Sequence, residues 1–131
     1  IEHDLYGVPH WPRFQYLREE GIIEIPVPTL RKARKNVGIG GGGYFRLYPF
    51  WLSKQRIDKY LMQEKQPYSF YFHPWEIDPG QPSIKDAPLK SKIRHYINLQ
   101  TMEGKLVKLL KNYSWASMKD VYLSSDECKS G

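Results

Sequence analysis

Two prolines, Pro67 and Pro74, bracket "YSFYFH" and constrain the middle of the chain more than any other feature. Proline lacks an N–H and holds φ near about −65°, so neither a helix nor a β-ladder runs through it. Upstream, "FWLSKQRIDKYLMQEKQ" (50–66) fits a helix that Pro67 ends, with Ser53 able to cap it and Ile57, Tyr60 and Leu61 on one face. Between the prolines the aromatic run favours a strand over 68–73, because aromatic side chains pack well on a pleated surface. His73 then stands at the last strand position before a loop. Its imidazole is either a half-buried structural group or a proton donor at the edge of a cleft.

Other segments carry their own signals. "GIIEIPVPTL" (21–30) is rich in β-branched residues and predicts a strand, with Pro26 and Pro28 placing it at a sheet edge. "RKARKNVGIGGGG" (31–43) reads as a basic and then glycine-rich loop, and residues 1 to 20 as irregular. A proline-rich loop is expected at 78–90. Leu99, Met102, Leu106, Leu109, Leu110 and Tyr113 then fall on one helical stripe. "WASMKDVYL" (115–123) suggests a short extended segment, and the last eight residues (124–131) read as a disordered tail. Strands alternating with helices predict an α/β domain over 1–123 with parallel layering. Two strands make a poor sheet, and the chain opens without a methionine, so it is expected to be a piece of a longer protein.

Composition excludes several classes. With 131 residues, 40% of them hydrophobic, the chain can bury a core of its own. The net charge of +6 raises nucleic acid as a partner, but the densest basic cluster is Arg31, Lys32, Arg34 and Lys35, without a recognisable binding motif. It reads as a solvated loop, and no nucleic-acid partner is expected. Cys128 is the only cysteine, so neither a disulfide framework nor a cysteine zinc site can form. No apolar stretch approaches the roughly 18 residues of a membrane span.

The catalytic motifs mostly fail. "GIGGGG" (38–43) formally matches G-x-G-x-x-G, but a basic loop precedes it and Pro49 interrupts the segment downstream of it, so it is not a dinucleotide fingerprint. The glycines still allow close approach of a backbone to a ligand. They form either a flexible loop or a substrate-lining loop presenting Tyr44 and Arg46. His3, His10, His73 and His95 show no metal-ligand spacing, and no metal site is expected within the chain. Around His73, Trp75 could wall a cleft, and Glu76 and Asp78 could tune the imidazole.

Four segments together resemble one family. "EIPVPT" (24–29), "GGGGYFRLYP" (40–49), "FYFHPWEIDP" (70–79) and "HYINL" (95–99) are similar, in order and interval, to the C-terminal part of NodB-type polysaccharide deacetylases, carbohydrate esterase family 4. The nearest branch is the one of exopolysaccharide gene clusters, with an extra C-terminal region of unassigned function. "HDLYGVPHWPRF" (3–14) resembles the segment after that family's mid-barrel motifs. The resemblance implies the C-terminal portion of a distorted (β/α) barrel, here incomplete, with a loop-rich N-terminal segment. It implies a hydrolase that removes N-acetyl groups from a polysaccharide or oligosaccharide with a divalent metal such as zinc. His73 matches the late-strand histidine that protonates the leaving amine, Glu24 to Val27 match a preceding strand, and Tyr71 lies beside the acetyl pocket. Tyr44, Arg46, Tyr71 and Trp75 are the candidate substrate-binding residues.

The departures bear on activity. The family's aspartate pair and metal-binding histidines lie in its N-terminal half and have no equivalent here. The metal and the N-terminal half of the parent are therefore expected partners, and the chain alone is expected to be inactive. The alternative is a non-catalytic carbohydrate-binding module in which Tyr44, Arg46, Trp51 and Trp75 hold sugar. The resemblance fits a bacterial cytoplasmic or cell-envelope protein.

Overall fold

The computed structural model describes residues 12–32, 35–82 and 88–123. The chain begins as a short antiparallel ladder, β1 (Tyr16–Leu17) with β2 (Ile23–Glu24), turned at Gly21 with φ of 79°. Next comes a hairpin: β3 (Thr29–Lys32) pairs antiparallel with β4 (Lys35–Gly38), setting Leu30 opposite Val37. The expected single strand at 21–30 is thus split, because Pro26 and Pro28 cannot donate to a ladder. The expected loop at 31–43 instead carries β4 and the start of a helix. The sheets are antiparallel because short connections suit hairpins, whereas parallel neighbours need a crossover of a dozen residues or more.

α1 (Gly42–Leu47) grows directly out of the glycine run and stops before Pro49, where α2 (Phe50–Glu64) begins. The Pro49 carbonyl accepts from the Leu52 and Ser53 amides at 3.1 and 3.2 Å, so Ser53 lies buried in the first turn and is not the cap. α2 ends at Lys65, which takes a left-handed φ of 51° two residues ahead of Pro67. Residues 68–73 form no ladder among the described residues beyond one isolated parallel bridge, Gly41 to Tyr71. A 3₁₀ turn (Pro74–Ile77) comes after them. α3 (Leu89–Tyr96) then starts immediately after Pro88, inside the expected loop. α4 (Leu99–Asn112) matches the expected stripe, and α5 (Met118–Tyr122) replaces the extended segment expected at 115–123. Ser117 caps α5 by accepting from the Asp120 amide at 3.1 Å. The tail at 124–131 lies outside the described residues, as do His3 and His10.

One core joins Phe45 of α1, Ile57 of α2, and Met102 and Leu109 of α4, with Phe50, Phe70, Leu106 and Tyr113 around it. A second joins Leu30, Ile39 and Tyr60. Leu110, expected on the buried α4 stripe, is 51% exposed, since it lies about 100° around the helix from Leu109. Arg13 ties the first segment down, donating to Glu64 Oε1 at 2.8 Å and to the Thr29 carbonyl at 2.6 Å. The result is a mixed helix-and-strand domain with small sheets and, among the described residues, no closed barrel. None of its described helices is long and apolar enough to cross a membrane.

Candidate functional site

The glycine run is a seat for the aromatic segment. Tyr71 donates its amide to the Gly40 carbonyl, and Gly42 donates to the Tyr71 carbonyl, both at 2.9 Å. The Tyr71 ring lies over Gly41, where an added methyl would come within 3.0 Å of its hydroxyl. At Gly42 a methyl would collide with the Glu76 carboxylate. Glycine stands at these positions because side chains of 71 and 76 occupy the space a Cβ would need.

Glu76 is brought there by the 3₁₀ turn that Pro74 starts, and it is 1% exposed. Its Oε1 accepts from Arg46 Nε at 3.0 Å, and its Oε2 accepts from the His73 amide at 2.8 Å. Arg46 is 2% exposed and also donates from one terminal nitrogen to the His95 and Ile97 carbonyls at 2.9 and 3.0 Å. Its guanidinium carbon lies 5.0 Å from the Trp75 ring centre. Arg46, expected to face sugar, therefore serves the interior. The reason is electrostatic: a buried carboxylate is retained only with a charge partner and satisfied lone pairs. Lys105 of α4 donates to the Arg46 and Tyr48 carbonyls at 2.9 and 3.0 Å and so closes the C-terminal end of α1. Burial, with the Arg46 charge as a second cause, holds the Lys105 ammonium below the usual lysine range.

His73 projects outward from this anchor, its side chain 55% exposed and its Nδ1 3.5 Å from Glu76 Oε2. Its ring stacks on Trp75 at 5.6 Å and meets Tyr71 edge-on at 6.1 Å. Trp75 in turn stacks on His95 at 4.0 Å. The Gln81 amide nitrogen donates to the Trp75 and Asp78 carbonyls, so its oxygen faces His95 Nε2 at 2.9 Å and fixes that nitrogen as the protonated one.

The structure thus brings together His73, Tyr71 and Trp75. Tyr44 lies elsewhere, stacked on Tyr48 at 6.2 Å and beside Gly38 of the hairpin. Trp51 is 67% exposed at the start of α2, over a shallow groove of about 500 Å³ lined by α2 residues only. His95 extends the stack and Gln81 holds its ring through Nε2, although the distance of His95 from residue 73 along the chain hides the contact from local pattern. No group of three or more His, Cys, Asp or Glu side chains among the described residues could hold a metal ion.

Residues 1–123 match the family described as a domain of unknown function (DUF3473). The chain belongs to that family. The match takes in every described residue, so the His73–Glu76–Arg46 cluster is a feature of this DUF3473 domain. No curated protein and no solved structure matches the chain.

Proposed function

We propose that the chain is the C-terminal portion of a metal-dependent polysaccharide deacetylase acting on N-acetyl sugars, and that His73 is its general acid. The observation that supports this reading is the placement of an exposed imidazole on a buried, charge-paired anchor. A proton donor needs a fixed backbone, an open face toward solvent or substrate, and a pKa near working pH. His73 has the fixed backbone through Glu76 and the open face through its exposure. As the amide C–N bond of the substrate breaks, the imidazolium gives its proton to the departing nitrogen, which leaves as a neutral amine. Tyr71 and Trp75 flank the ring and line the approach to it.

The described residues do not fit a divalent metal, so we assign the metal and the base to the N-terminal half of the parent. A positioned acid contributes about 10²–10⁴-fold, too little for activity by this chain alone. The test is metal-dependent acetate release by the full-length parent. His73→Ala should lower kcat by about 10²–10⁴-fold, and a variant that keeps its rate within a few-fold refutes the assignment. The exposed Trp51 favours a second reading, a carbohydrate-binding accessory module. Sugar binding by this chain that Trp51→Ala abolishes and His73→Ala spares would favour that reading.

A further inference from the structure

Arg13 meets Glu64, Arg18 meets Glu20 and Glu24, and Arg46 meets Glu76. Arg56 of α2 has no such partner. Its guanidinium carbon lies over the Tyr48 ring, 4.1 Å from the centre, and among the described residues no acid or carbonyl accepts from it. Its helical neighbours three and four residues away, Leu52, Ser53, Lys59 and Tyr60, include no acid. Asp58 is engaged by Lys54 and Tyr113 instead. So short a distance rests the planar group on the ring by its face and leaves its N–H donors pointing sideways. Arg56 borders a notch of about 10 Å³ that Tyr44, Tyr48, Ser53 and Gly38 also line. That is room for one oxygen-sized group. Ser53 is 8% exposed, and its hydroxyl, which does not cap α2, has no hydrogen-bond partner among the described residues. A buried hydroxyl beside an unpaired guanidinium is completed by an anionic oxygen. Tyr44, stacked parallel on Tyr48, keeps about half its surface open at the same notch.

We propose that this notch binds the carboxylate of an acidic sugar, one oxygen seated between Arg56 and Ser53 and the sugar ring lying on Tyr44. One guanidinium with one neutral hydroxyl matches a single negative charge, whereas a phosphate dianion calls for a second cation or a set of backbone N–H groups. In a uronate the carboxylate is bonded directly to the ring, so both groups reach a notch that Arg56 and Tyr44 line together. The flexible arm of an acidic peptide side chain offers an aromatic ring no flat face. That the carrier is a saccharide rests on the proposed function; the anion site rests on Arg56 and Ser53.

The test is titration calorimetry of this chain, at low salt, with trigalacturonate, its neutral methyl ester and inorganic phosphate. Trigalacturonate should bind, and Arg56→Gln should weaken it about 10- to 100-fold. The methyl ester should lose affinity to the same extent. Because Arg56 meets no acceptor in the fold, Arg56→Gln should barely move the urea midpoint. Should the midpoint fall, Tyr44→Ala at a half-exposed ring is the second variant, expected to weaken binding about fivefold. No binding at millimolar concentration, equal binding of acid and ester, or binding that survives both substitutions overturns the site, and the notch then holds water only. Phosphate binding as tight as that of trigalacturonate overturns the acidic sugar. Uronate binding by this chain, beside a full-length parent that releases no acetate, supports the site and refutes the proposed function.

Discussion

Removing Arg46 should reveal how much of the site rests on one buried pair. The Glu76 carboxylate is 1% exposed and its only permanently charged partner among the described residues is Arg46, at 3.0 Å. In Arg46→Met the aliphatic stem is kept, but the carboxylate is left buried with the His73 amide and, 3.5 Å away, the His73 imidazole nitrogen. Breaking a buried ion pair from one side costs about 3–5 kcal/mol, mostly as the penalty of the charge left behind. Against a typical total of about 5–15 kcal/mol this is a large fraction. Glu76→Gln keeps the size and the acceptor for the His73 amide, so its cost falls on the guanidinium, which retains two carbonyl acceptors. That loss should be smaller, about 2 kcal/mol. In the double variant no uncompensated charge remains, so the two costs should fall short of adding by about 2 kcal/mol or more. Urea denaturation of this chain reads it out. With m of about 1–3 kcal/mol/M, a loss of about 3 kcal/mol moves the midpoint by about 1–3 M at unchanged slope. Single losses under about 1 kcal/mol, or costs that simply add, would show that the pair is not what fixes the 3₁₀ turn.

Two neighbouring glycines should respond in opposite ways: Gly42→Ala drives a methyl into Glu76 and should cost about 1–3 kcal/mol. Gly43→Ala meets open space in α1 and should stabilise by up to about 1 kcal/mol, both measured by urea midpoint. On the alkaline side, burial, then the charges of Tyr122 and Glu64, push the Tyr60 phenol up from 10.0 to about 12. The folded state keeps a proton that the unfolded chain loses, so this contribution is intact below about pH 10 and is lost as pH rises from there through about 12. A rise of that size is worth about 3 kcal/mol. Burial raises Tyr68 and Tyr113 as well, so tyrosinate absorbance should show a fraction of the ten tyrosines ionising only with unfolding. Ser117→Ala should cost about 0.5–2 kcal/mol through loss of the α5 cap, seen as a lower thermal midpoint.

The parts of the fold that could be read from sequence are those with a strong helical period. Ile57 and Tyr60, and Leu99, Met102 and Leu109, stand three or seven residues apart on one helical face and are buried as expected. The β3–β4 hairpin is hidden because its strands carry Arg31, Lys32, Lys35 and glycine, which mask the two-residue alternation behind a loop-like composition. α3 is hidden by Pro88, which reads as a breaker but, standing just ahead of the first helical residue, is compatible with a helix start. In the site, local pattern locates His73 and its aromatic neighbours. It cannot find that Arg46 turns inward, because its partner lies 30 residues on and sequence carries no local mark of that pairing. The glycine run looks like a ligand loop for a related reason: what approaches its backbone is Tyr71 and Glu76 of the same chain.

The most direct test of the acid assignment compares leaving groups in the full-length parent. Cleaving an N-acetyl sugar expels a poor leaving group that must be protonated, whereas an aryl acetate expels a phenolate that needs no proton. His73→Ala should lower metal-dependent kcat on the N-acetyl sugar by about 10²–10⁴-fold while changing aryl acetate hydrolysis less than about tenfold. Equal losses on both substrates, or none on either, would contradict His73 as the general acid.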